Sequence, residues 1–180
     1  MKTRASAWSI AAALAIAVAG QGGAAGAAEP MKLTVIGFDY SDSSGEPRDQ
    51  TEEHEQRIKA FSEWLARDIS RDERFEIVHL PCVERHNCTR ETALAEDILS
   101  EARTAGADYL VFGGIHKMST LVGGGRIDVL DVKEDRLVID RVISFRGDND
   151  AAFERAAEFA AKDIVKTLTN GDAAQARGAR

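Results

Sequence analysis

The chain has 180 residues, of which 44% are hydrophobic, 29% charged and 6% aromatic, with three prolines. That is too apolar for a disordered chain, and the length fits one ordinary domain. The formal net charge is −7, the opposite of the basic excess that binding to nucleic acid or to an anionic membrane surface calls for, and two cysteines exclude both a disulfide-dense scaffold and a four-cysteine zinc site.

Residues 1–27 read as a cleaved secretory signal peptide. Lys2 and Arg4 give a positive start, residues 8–19 are apolar apart from Ser9, and a small-residue stretch follows to Ala28, the three-part pattern of an export signal. The apolar run is short for a bilayer span, and no cysteine near the cleavage site offers a lipid attachment point. Cleavage removes Lys2 and Arg4 and no acid, leaving a charge of −9. The expected product is soluble and periplasmic, with no stable membrane insertion after cleavage, and Cys82 and Cys88 then sit in an oxidising compartment.

Residues 32–38 (KLTVIGF) form a short apolar run that predicts a buried strand. Residues 39–50, rich in Ser, Asp, Gly and Pro, predict a loop. A helix is expected over 51–72, because Ile58, Phe61, Leu65 and Ile69 recur at three- and four-residue spacing. Thr51 is its expected cap, and Glu52 and Glu53 fall in the first turn, where the helix dipole favours acids. A second strand is expected over 75–80, ended by Pro81, which cannot donate to a ladder.

A second helix is expected over 90–105, capped by Thr89, with Leu94, Ile98 and Ala102 inward and Gly106 closing it in a left-handed conformation. Residues 109–115 (YLVFGGI) read as a strand buried on both faces. Residues 126–132 and 137–145 read as an antiparallel hairpin about a polar turn, with Leu137, Ile139, Ile143 and Phe145 on one face. A last helix over 150–168 buries Phe153, Ala157, Ala160, Ile164 and Leu168 and is expected to stop at Asn170 and Gly171, leaving residues 171–180 disordered. The order β-α-β-α-β-β-β-α predicts a single α/β domain over 29–170. It has a mixed five-stranded sheet and three helices, the first three strands parallel through right-handed crossovers.

The loop from Cys82 to Cys88 holds the densest group of reactive side chains, including Glu84 and His86. The first reading is a structural disulfide between Cys82 and Cys88, which would stabilise by about 2–3 kcal/mol through loop closure. A redox pair lacks the Cys-x-x-Cys spacing. A metal site of Cys82, His86, Cys88 and His79 has suitable ligands at no common zinc spacing, and oxidation of the cysteines excludes it. Asp39, Asp42, Glu46 and Asp49 crowd the loop after the first strand, at the carboxyl end of a parallel sheet where ligands tend to bind. Without a calcium-loop pattern they read first as a solvated loop, so no metal or cofactor is assigned. Gly123-Gly124-Gly125 lacks the phosphate-loop pattern and reads as a turn or strand irregularity. Asp148 or Asp150 is expected to cap the last helix. Ser119, His116 and Asp148 can be written as a triad, but there is no Gly-x-Ser-x-Gly elbow, and Trp64 reads as packing.

The segment from Ala105 to Gly114 (AGADYLVFGG) resembles a step in small exported bacterial α/β domains. These include the N-terminal domain of TolB and the cores of curli-secretion and penicillin-binding-protein activator lipoproteins. A further likeness joins the Phe38-Asp39 strand end, the cysteine pair, the run from Lys117 to Leu121, the strand around Val129 to Val132, and the run from Phe145 to Asp150. Together these resemble an uncharacterised family of small secreted bacterial proteins, a domain of unknown function. The resemblance implies the fold and an exported location. It also implies a link, for some members, to periplasmic quinoprotein alcohol-oxidation systems.

The first functional expectation is therefore a non-catalytic binding or accessory module that acts through a periplasmic protein partner. Its contact surfaces would be the acidic loops and the exposed hairpin edge. The alternative is a small-ligand or metal carrier, accessory to such an oxidation system, with Asp39, Asp42, Glu46, Asp49, Glu84 and His86 lining the surface.

Overall fold

The computed structural model describes residues 29–85 and 88–178, with side chains described through Gly171. The expected signal peptide and His86 lie outside the described residues. The elements in chain order are β1 (Met31–Val35), β2 (Asp39–Asp42), α1 (Thr51–Ile69), β3 (Phe75–Ile77), α2 (Pro81–Glu84), α3 (Ala95–Thr104), β4 (Tyr109–Ser119), β5 (Val122–Asp131), β6 (Arg136–Arg146) and α4 (Asp150–Gly178).

The sheet runs β3-β1-β4-β5-β6, with β2 also paired to β4. β1 pairs in parallel with β3 and β4, and β5 and β6 add antiparallel strands. The mixed α/β fold matches expectation, but with six strands and four helices instead of five and three. The extra strand is β2, in what reads as a loop. It forms because β4 continues for eleven residues, well past the end of β1, and offers an unsatisfied ladder to the returning chain. Val35 faces Val111 and Asp39 faces Gly114, so the β1–β2 side carries one residue more than β4 across this step. This bulge exchanges the faces. Leu33 and Val35 point toward the same core as Phe38, while Ile36 joins the opposite one.

Two apolar clusters sandwich the sheet. The larger is built by the stripes of α1 (Ile58, Phe61, Leu65, Ile69) and α4 (Phe153, Ala157, Ala160, Ile164, Leu168) on Val111, Ile127, Ile139 and Ile143, with Trp64 packed against it as expected. The smaller joins Leu80, the two cysteines, Ile98, Ala102 and Leu110. It covers the β3-β1 side and reaches Leu110 of β4 and Leu130 and Val132 at the end of β5, but takes no side chain from β6.

Several boundaries differ from the sequence reading. Thr51 is the first helical residue, not the cap; Asp49 receives its backbone N–H at 3.0 Å and its hydroxyl at 2.8 Å. Pro81 opens α2, where its missing N–H costs nothing. α3 begins at Ala95, and Leu94 is 72% exposed, because Thr89 closes a separate turn by accepting the N–H groups of Glu91 and Thr92. Gly106 is left-handed at φ 71° as expected. Asn149, not Asp148 or Asp150, caps α4 by accepting the Ala152 N–H at 3.0 Å.

α4 runs through Asn170 and Gly171 to Gly178, past the stop expected at those two residues. The following residues include Ala173, Ala174, Gln175 and Ala176, strong helix formers that offset the glycine. Gly123-Gly124-Gly125 lies within β5. There the missing side chains make room: a Cβ at Gly123 would meet Phe145 Cζ at 2.6 Å, and one at Gly125 would meet Ile115 Cδ1 at 2.7 Å.

Candidate functional site

Successive residues of a strand point to opposite faces, and on β4 this separates His116 from Lys117. Lys117 is 3% exposed, a position that an ammonium occupies only when its desolvation is compensated. Four groups supply that compensation. Asp148 Oδ2 lies 2.7 Å from Nζ and Asp42 Oδ2 lies 3.8 Å away; Glu46 accepts a short hydrogen bond, and Gln50 Oε1 accepts another at 2.8 Å. The loop between β2 and α1 is thereby fastened to the centre of the sheet.

Asp148, just before α4, is the second hub. Arg57 Nη1 donates to its Oδ1 at 2.6 Å, and His54 Nε2 lies 3.1 Å from both carboxylate oxygens. Arg57 also donates to Asp150 at 3.0 Å and lies over the Phe153 ring. His54 and Arg57 come from the first turns of α1; His54 is buried in register with the Ile58, Phe61, Leu65 and Ile69 stripe. Four elements thus meet through charge: β2, α1, β4 and the β6–α4 connection.

The electrostatics follow from this packing. Burial lowers the affinity of Lys117 for its proton, but hydrogen bonds to Asp148 and Glu46 and their charges overcome it and raise its pKa. Burial raises the carboxyl of Asp148, and hydrogen bonds from Lys117 and His54 with the charges of His54 and Arg57 hold it below the usual carboxylate range. A lysine so held stays protonated at neutral pH, which removes it as an amine nucleophile or a general base. Tyr40 stacks on His54 with ring centroids 4.8 Å apart, and its buried hydroxyl has no hydrogen-bond partner among the described residues. Burial, with the Asp42 and Asp148 charges, pushes the phenol pKa up.

Of the residues expected to line a binding surface, Asp42 and Glu46 meet at Lys117, while Asp49 holds the start of α1. With Tyr40, His54 and Glu55 they border an open cleft of about 600 Å³. Asp39 borders a different cleft, of about 240 Å³, with Arg90, His116, Arg126 and Asp128. Glu84 is exposed on α2, with the disulfide cluster.

In the second cleft His116 is engaged at both ring nitrogens, by Ser41 Oγ at 2.8 Å and Ser43 Oγ at 2.9 Å. Buried Asp128 accepts from Arg126 Nε at 3.2 Å, and Arg126 continues to Asp140 at 2.6 Å. A Ser119–His116–Asp148 triad is not assembled, since Asp148 belongs to Lys117 on the other face. Cys82 and Cys88 form a disulfide, which joins the thiolates that a metal site would need. Among the described residues no group of three or more His, Cys, Asp or Glu side chains is placed to hold a metal ion.

The sequence reading missed Lys117, His54 and Arg57. One signal was present: His54 precedes Ile58 by four residues and so extends the buried stripe of α1.

A mixed sheet with two helices on one face and a partial layer on the other defines the class. Residues 31–165 match DUF3280, described as a protein of unknown function (DUF2380), and the chain belongs to that family. No curated protein matches it in sequence. Among solved structures it is similar to TolB from Acinetobacter baumannii, with 17% identity and a TM-score of 0.50 over 79% of this chain and 29% of that one. The chain therefore spans under a third of the length of TolB, and the likeness shows the fold. Weaker matches are Lipoprotein GNA1162 from Neisseria meningitidis, with 11% identity and a TM-score of 0.46 over 78% of this chain and 98% of that one, and E. coli LpoB, with 12% identity and a TM-score of 0.46 over 69% of this chain and 60% of that one. No described helix is long and apolar enough to cross a membrane.

Proposed function

We propose that this protein is an exported periplasmic module without catalytic activity of its own, and that it works by binding a protein partner. The observation that carries this reading is the contrast between the inside and the surface. The ionisable groups at the carboxyl ends of the strands are committed to one another around Lys117 and Asp148. The antiparallel strands meanwhile present apolar side chains: Leu121, in the turn between β4 and β5, is 67% and Val142, on β6, 76% exposed. Scattered exposed apolar residues are ordinary, but these lie on the β4-β5-β6 part of the sheet, beyond the reach of the smaller apolar cluster. The signal-like first 27 residues and the disulfide support export.

The test is photocrosslinking in the cells that make the protein, with a photoreactive residue at Val142 or Leu121 and a control at exposed Lys59 on α1. The expected result is a discrete adduct from the hairpin positions and none from Lys59. No discrete adduct from either hairpin position overturns the reading.

A small-ligand carrier is the second reading, favoured by the open cleft beside Tyr40. It requires a periplasmic metabolite or metal ion that raises the Tm of the wild-type protein, because a ligand that prefers the native state stabilises it.

A further inference from the structure

β6 closes one side of the sheet. It pairs with β5 and, among the described residues, with no other strand. At eleven residues it is long for an edge, where the usual strand is about five or six residues. An unpaired edge is a row of free N–H and C=O groups, which natural proteins blunt with proline, lysine, bulges or short length. β6 has no proline and no lysine, and its one bulge, at Val138 near its start, leaves Ile139 to Arg146 in unbroken register with β5. On the helix side of this edge Phe159 of α4 is 63% exposed and borders a shallow crevice with Ile139, Arg141, Ile143 and Asp163.

The charges of β6 left without an ion-pair partner among the described residues are of one sign. Asp140 is taken by Arg126 and Arg141 by Asp163. Arg136 and Arg146, at the two ends of β6, have no ion-pair partner among the described residues, nor does Arg155, one helical turn before Phe159. In a chain of net charge −7 this leaves a basic edge on an acidic protein.

We propose that β6 takes up an extended, acidic segment of a partner protein as an added strand, with an apolar side chain beside Phe159 and carboxylates facing Arg136 and Arg146. Main-chain hydrogen bonds would supply the affinity, and the crevice and the two arginines the selectivity. The distance between those arginines sets the length, since ten steps of extended chain cover about 33 Å, so the segment carries its acids about ten residues apart. A second copy of this chain fits poorly: antiparallel, in-register pairing of two β6 strands places Arg136 opposite Arg146, and like charges so placed destabilise a ladder. This inference rests on the partner reading above and adds its mode.

The test titrates the full mature protein with labelled extended peptides about twelve residues long, in low salt. Each has a Val/Thr-alternating centre and either Glu or Lys at both ends. The Glu-ended peptide is expected to bind about tenfold tighter than the Lys-ended one, and the Arg136→Glu/Arg146→Glu variant, folded by circular dichroism, to reverse that preference. N-methylation of alternate peptide residues is expected to abolish binding in one register and spare it in the other, because a strand turns only every second N–H toward its neighbour.

Absence of binding up to about 1 mM peptide, no preference between the ends, or equal loss in both N-methyl registers overturns the proposal. A dimer in sedimentation that Val142→Arg abolishes places a second copy on the edge and overturns it as well. If the peptides fail while a discrete adduct forms at Val142 in cells, the strand mode falls and the partner reading stands. If the peptides behave as expected while no adduct forms, the partner reading falls and strand addition stands as a property of the edge.

Discussion

The Nζ of Lys117 lies 2.7 Å from Asp148 Oδ2, and both side chains are largely withdrawn from water, at 4% and 13% exposure. Neither residue holds its charge there alone. Removing the ammonium strands three carboxylates, those of Asp42, Glu46 and Asp148, at its former position. Lys117→Met should therefore cost about 3 kcal/mol, the lower end of the range for breaking a buried pair, because Asp42 and Glu46 keep partial contact with water. Urea unfolding measures it. The double variant Lys117→Met/Asp148→Asn should recover part of the loss by removing one stranded charge. A loss below about 1 kcal/mol would show that Lys117 does not fasten the loop.

The same pair fixes the pH dependence. Asp148 has its folded pKa below the ordinary 3.8, so as pH falls the unfolded chain takes up that proton before the folded one. Its contribution is complete above the ordinary value and disappears as pH drops through the lower, folded one. Lys117 has its pKa raised above 10.5, so its contribution is complete below that value and is lost only as pH climbs through the folded one. The contributions of these two groups are thus constant between about pH 5 and 9. Urea midpoints measured from neutrality down to about pH 2.5 should fall less steeply for Asp148→Asn than for wild type. Asp72, held at about 2 by Arg74, steepens both curves equally. Identical acid limbs would contradict the role of Asp148.

Much of the fold was legible because it rests on local periodicity. The stripes of α1 and α4 and the hairpin follow from the spacing of apolar residues, and the two parallel pairings of β1 from the alternation of strands and helices. The strand β2 was not legible, because Asp39-Tyr40-Ser41-Asp42 has a loop's composition. What makes it a strand is the free ladder on the far half of β4, a tertiary cause with no trace in those four residues. The charge cluster was hidden for the same reason. Lys117 stands among polar residues in the chain, and its burial arises only when β2, α1 and the β6–α4 connection arrive with compensating groups. Asp148 read as a cap because a short acid before an amphipathic stretch has that meaning locally, yet Asn149 occupies the role. The disulfide was the first of the sequence's readings of Cys82 and Cys88, and it was legible because its ring is local.

Close packing at Gly113 makes a sharp prediction. A Cβ there would lie 2.0 Å from the carbonyl oxygen of Arg126 and 2.8 Å from Phe38 Cε1. Backbone on one side and a core ring on the other leave nothing flexible to yield. Gly113→Ala should cost about 2–3 kcal/mol, read by urea unfolding. A neutral result would mean that β4 and β5 approach less closely at this point.

Gly171 gives the opposite sign. It lies within α4, and a Cβ there meets nothing within 4 Å. Gly171→Ala should add helix content by circular dichroism and raise stability by as much as about 1 kcal/mol, because glycine is the costlier residue inside a helix. Unchanged helicity would place the end of α4 at Asn170, where its sequence suggests a stop.

Cys82 and Cys88 are 5% and 3% exposed, and their bridge does more than close a small ring. The carbonyl of Cys88 accepts the Gly37 N–H at 2.9 Å, and a Cβ at Gly37 would press on Thr89 Cγ2 at 3.0 Å, so the bridged loop is seated on the bulge between β1 and β2. Cys82→Ala/Cys88→Ala should therefore destabilise by about 2–4 kcal/mol, seen as a lower urea midpoint. The native, oxidised protein should show no thiol to a thiol reagent. Zinc should leave the Tm of the oxidised protein unchanged, because the two sulfurs are bonded to each other. A zinc-dependent rise in Tm confined to the reduced protein would revive the metal reading of this loop, with His79 and His86 as its remaining ligands; no rise in either state would leave the bridge as the loop's single role.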